Sequence, residues 1–174
     1  MDYVFAVCRL LVGIVFVTSA VSKLRGRAAY EEFTAATRAL APRLPARPAA
    51  ALVVAAEVAV APLLAWRPTV TAGFVTALGL LAAFTAAIVL ALRRGRRVPC
   101  RCFGASTAPV GPGHLVRNAA LIAAASAGAV QAGTAGVPAD LGPAGLAAVA
   151  LAAGAAAVLL SAAGDIAGLF TSPP

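Results

Sequence analysis

Charge is what this sequence has least of. Lys, Arg, Asp and Glu make up 11% of its 174 residues, against about 25% in a soluble domain. Those few charges are bunched between long apolar runs. The pattern excludes an ordinary water-soluble globule and marks an integral membrane protein. Acids are scarcer than bases, 6 against 14, so the net charge is +8. In a soluble chain that balance would point to nucleic acid. Here the bases flank apolar segments, as the positive-inside rule produces, and no nucleic-acid partner is expected. Three cysteines are too few for a disulfide scaffold. With a single histidine, His114, a four-ligand zinc site is incomplete within one chain. No repeat at a solenoid period is present.

What is there, in quantity, is apolar sequence: 61% of residues, with a mean hydropathy of +0.94. Five runs approach the roughly 20 residues that cross a bilayer. They predict helices over about 4–22, 49–65, 69–92, 114–132 and 141–163. The fold class is an all-α integral membrane protein, a bundle of four to five transmembrane helices in a single domain spanning 1–174. The bilayer is its first partner. Between the first two runs, Tyr30, Phe33, Thr37, Leu40 and Leu44 recur at spacings of three and four, with Glu31, Glu32, Arg38 and Arg43 largely between them. This predicts a short amphipathic helix in the interface, its apolar stripe toward lipid. Pro42, Pro45 and Pro48 end it. The last two runs are rich in Ala and Gly, which permits close helix approach.

The first run has no basic residue before Arg9, and Lys23, Arg25 and Arg27 follow it. A retained helix is therefore expected rather than a cleaved signal peptide. Lys23, Arg25, Arg27, Arg38, Arg43 and Arg47 fall in the first loop, and Arg93, Arg94, Arg96, Arg97 and Arg101 in the third; the opposite side has Arg67. This bias places loops one and three in the cytoplasm and the N-terminus outside.

Two features could carry chemistry. Cys100 and Cys102 are separated by Arg101, after an arginine run and within a Gly/Pro-rich loop. A one-residue spacer makes a small, strained disulfide ring, better suited to exchange than to stapling. The neighbouring guanidinium groups, Arg101 first, favour thiolate over thiol. The pair can be read as a dithiol that trades electrons with a partner, as part of a metal site short of ligands, or as two inert thiols. We take the first, with a thioredoxin-like protein or a disulfide-rich client as partner and no cofactor. Glu57 is an acid in mid-membrane, where such groups are costly and usually paired. Arg9, Lys23, Arg117 and Asn118 are its available partners; Arg9 could reach it from the outer side and Arg117 from the inner. A buried ion pair fixing helix register is the reading adopted; a proton- or quinone-linked site is the alternative. Arg117 and Asn118 open the helix after the cysteine loop, where they would anchor it or snorkel. Cys8 is expected to be a small buried hydrophobe.

Taken in order, Arg9 through Ser19 and Lys23-Leu24, then Glu57, then Cys100-Arg101-Cys102-Phe103-Gly104, then Arg117-Asn118, the chain resembles the MauE family, itself similar to DoxX-like membrane proteins. The resemblance covers about residues 5–130. It implies a multi-pass protein of the bacterial inner membrane in methylamine metabolism. Its implied role is maturation, processing or transport of the disulfide-rich small subunit of methylamine dehydrogenase. Cys100 and Cys102 would be the redox pair, making the chain a thiol–disulfide oxidoreductase. Glu57 and Arg117 would be the intramembrane polar residues. The rival implication is a non-catalytic assembly subunit of a DoxX-like membrane redox complex.

Overall fold

Six α-helices make up most of the described residues, 1–42, 44–94, 112–134 and 142–170, of a computed structural model. They are α1 (Asp2–Leu24), α2 (Arg27–Leu40), α3 (Ala46–Ala65), α4 (Val70–Arg93), α5 (Pro112–Thr134) and α6 (Pro143–Phe170), with a 3-10 turn at Arg67–Thr69 between α3 and α4. All but α2 are long and apolar enough to cross a membrane, five among the described residues. The helical form follows from the solvent: lipid offers no partner to N–H or C=O, so each span must satisfy its own backbone.

The five long helices close a ring in the order α1, α3, α4, α5, α6, and α1 also touches α5 across it. The first helix shows why it takes the inner position. Phe5, Cys8, Leu11, Val12, Val15, Phe16, Ser19, Ala20 and Lys23 form one buried stripe at helical spacing. Its span is 44% buried, against 11% for α6, whose surface is left to lipid or to a partner.

Phe74 ties three helices together. Its ring meets Phe5 edge-on, with centroids 6.0 Å apart, and lies against Gly128, where an added Cβ would sit 2.3 Å from the ring. Glycine at that position lets α4 and α5 approach. Gly73 makes the matching approach to α3, where a Cβ would meet the Leu64 backbone nitrogen at 2.9 Å. Trp66 and Tyr3 are exposed, at the ends of α3 and α1 that lie opposite α2, as interfacial aromatics are.

The amphipathic helix departs from expectation. The apolar stripe of α2 does not face lipid: Phe33, Ala36 and Leu40 are buried. Phe33 packs on Ala50 and Val54 of α3, and α2 also touches α1 and α4. The bundle offers the stripe a packed apolar wall, which gains dispersion contacts that fluid chains cannot match as densely. Leu44 alone of the five stripe residues is exposed.

Candidate functional site

The most polar point in the bundle is where α1 meets α3. Glu57 is fully buried at mid-α3, and Lys23 is 2% exposed. The Lys23 ammonium lies 2.8 Å from Glu57 Oε1 and 2.9 Å from Oε2. It also donates to Ser19 Oγ at 2.7 Å, and Ser19 Oγ donates in turn to Glu57 Oε1 at 3.0 Å. The three side chains form a closed ring of hydrogen bonds. Phe33 of α2 covers it, its ring centroid 4.9 Å from the ammonium. One cluster therefore joins α1, α2 and α3. A charge buried in lipid is tolerable when paired and hydrogen-bonded in this way.

Of the four partners that the sequence offers Glu57, Lys23 is the one it meets. Arg9 is not at the acid: its Nε and Nη2 donate to the Leu64 and Ala65 carbonyls, the latter at 2.7 Å. The helices run antiparallel with Ser19 level with Glu57. Arg9, ten residues back, sits about 15 Å along the axis, beyond a guanidinium's reach. It closes instead the C-terminal end of α3, whose last carbonyls have no partner within the helix. Lys23, assigned above to the charge of the first loop, is thus an interior residue. A signal for this was present. Val12, Phe16, Ser19 and Lys23 share one face at spacings of four, three and four, so the lysine continues the apolar stripe of α1.

The first turns of α5 hold a second buried polar group. His114 is 3% exposed, Arg117 5% and Asn118 0%, so Arg117 does not snorkel. Asn118 Nδ2 donates to Thr85 Oγ1 of α4 at 3.2 Å, while its buried Oδ1 accepts no hydrogen bond from the described residues. Thr85 was not singled out from the sequence; a lone hydroxyl in an apolar run gives no warning. The segment before α5 carries Cys100, Arg101 and Cys102, which lie outside the described residues. Cys8 is a buried free thiol in α1, well away from the ion pair along the helix. Among the described residues, no three His, Cys, Asp or Glu side chains gather as metal ligands.

A family model described as "Methylamine utilisation protein MauE" matches residues 1–131. The matched stretch runs from α1 through most of α5. It takes in Arg9, Ser19, Lys23 and Glu57, the Cys-x-Cys element, and Arg117-Asn118. No curated protein and no solved structure matches the chain. With the match covering well over half of 174 residues and five helices able to span a bilayer, this multi-pass membrane protein belongs to the MauE family.

Proposed function

We propose that the chain is a membrane thiol–disulfide exchange protein working through Cys100 and Cys102. Its client would be a disulfide-rich protein such as the small subunit of methylamine dehydrogenase, and a thioredoxin-like protein would restore the pair. The observation that carries this is the buried polar start of α5. His114, Arg117 and Asn118 are all interior and directly follow the cysteine segment in sequence. Polar and ionisable groups held inside a span are costly and mark a functional end of the bundle by default, which supports a role for this end, next in sequence to the cysteine pair. The step is a thiolate of the pair attacking a client disulfide, with a client thiolate leaving. The second thiol of the pair then resolves the mixed disulfide. The client gains two electrons and the pair leaves as a disulfide; the reverse sequence oxidises a client. Arg101 would hold the attacking sulfur as thiolate. The charge bias favours a cytoplasmic position for the pair in the inner membrane, and it survives the loss of Lys23 from the count, since Arg25, Arg27, Arg38, Arg43 and Arg47 remain in the same loop.

The test is trapping. Membranes carrying Cys102→Ser, and separately Cys100→Ser, should accumulate a reductant-sensitive mixed disulfide through the remaining cysteine, and the double variant should accumulate none. Impermeant maleimide applied to intact and to opened cells reports the side. Normal client maturation in the double variant would overturn the proposal. One observation favours the second reading, an assembly subunit: the sparsely buried span of α6 leaves an apolar face for another membrane protein. Co-purification of a partner unchanged by both Cys→Ser substitutions would select it.

A further inference from the structure

Beside the contact between α2 and α3 lies an open cavity of about 600 Å³ that neither the ion pair nor the cysteine chemistry uses. Its volume is within the range of small-molecule sites, roughly 300–1,000 Å³. Tyr30, Glu31, Thr34 and Arg38 of α2 and Arg47 of α3 line it. Arg38 and Arg47 approach from different helices, and both are exposed. Among the described residues, no salt bridge joins Glu31 to Arg38 or Arg47. The Thr34 hydroxyl is spent locally, donating to the Tyr30 carbonyl at 2.9 Å. The donors left to the cavity are two guanidinium groups and the Tyr30 hydroxyl.

We propose that this cavity is a binding site for a phosphate-bearing anion. Two planar guanidinium forks from separate elements suit the several acceptor oxygens of a phosphate, which each can engage bidentately. Arg47 lies in the first turn of a span and Arg38 at the end of the interfacial helix, so the site opens at headgroup depth. An anionic phospholipid of that leaflet is one source of the phosphate, and a soluble phosphate ester is the other.

The full chain is placed in nanodiscs of phosphatidylcholine, with or without phosphatidylglycerol, and retained lipid is counted by native mass spectrometry. Glycerol phosphate binding is measured in the phosphatidylcholine discs. The double variant Arg38→Gln/Arg47→Gln should weaken retention by about tenfold for each guanidinium lost. Arg25→Gln/Arg27→Gln, which removes the same charge at the start of α2, should retain it. Far-UV circular dichroism confirms that both variants stay helical. Loss of phosphatidylglycerol confined to the first variant supports the site and names a lipid. Loss of glycerol phosphate confined to that variant supports the site and names a soluble ester. Equal behaviour of the two double variants, or no retention of either probe by the unaltered chain, overturns it.

Discussion

Replacing Glu57 by Met while leaving Lys23 in place should be among the most damaging single changes in this bundle. Glu57 is fully buried and accepts from Lys23 at 2.8 and 2.9 Å and from Ser19 at 3.0 Å. The substitution strands an ammonium 2% exposed without its counter-charge. Breaking a buried pair from one side costs about 3–5 kcal/mol, whereas replacing both members by apolar residues of similar size is often neutral or stabilising. The single variants Glu57→Met and Lys23→Met should therefore each lose about 3–5 kcal/mol, and the double variant should return to within about 1 kcal/mol of the unaltered chain. The assay is unfolding in mixed micelles by added dodecyl sulfate, followed by far-UV circular dichroism. High salt should change little, because a pair this deep is poorly screened. If the two single costs add in the double variant, the groups are not coupled and the register role fails. If Glu57→Met costs under about 1 kcal/mol, the pair is not held in a low-dielectric interior.

Three further changes test other contacts in the bundle. Gly128→Ala puts a Cβ 2.3 Å from the Phe74 ring and should cost about 1–3 kcal/mol by the same unfolding assay; Phe74→Leu in the same chain should recover part of it. Arg9→Met removes the donors to the Leu64 and Ala65 carbonyls and should cost about 1–2 kcal/mol. Faster amide exchange should be confined to the turn after α3, and a uniform rise along α3 would contradict the capping role. Phe33→Leu loses the ring over Lys23, worth about 0.5–2 kcal/mol. It should loosen α2, read as faster tryptic cleavage after Arg25 and Arg27; unchanged cleavage would mean that α2 is held elsewhere.

The spans were legible because their signal is local. An apolar run of sufficient length must be helical in lipid whatever its neighbours do. Glu57 was legible as paired for the same reason, since an acid at that depth has few alternatives. Which of its four available partners it meets was not, and Arg9 shows why. Depth along one helix says nothing about the offset of the next, so a residue one turn inside α1 and an acid at mid-α3 could be imagined together. The offset that places Ser19 beside Glu57 moves Arg9 to the end of α3 instead. Thr85, which holds Asn118, had no sequence signature.

Composition and the spacing of apolar residues by themselves determined that this protein lives in a bilayer, that its chain holds runs long enough to cross it and that α2 is two-faced. Only the tertiary structure decided which cation meets Glu57, that α2 turns its apolar face onto α3 rather than to lipid, and that Arg38 and Arg47 share a cavity. The physical reason is that a helix's length and stripe follow from its own residues. Its rotation and vertical offset are set by the surfaces of its neighbours, where a shift of one turn, about 5.4 Å, exchanges every partner.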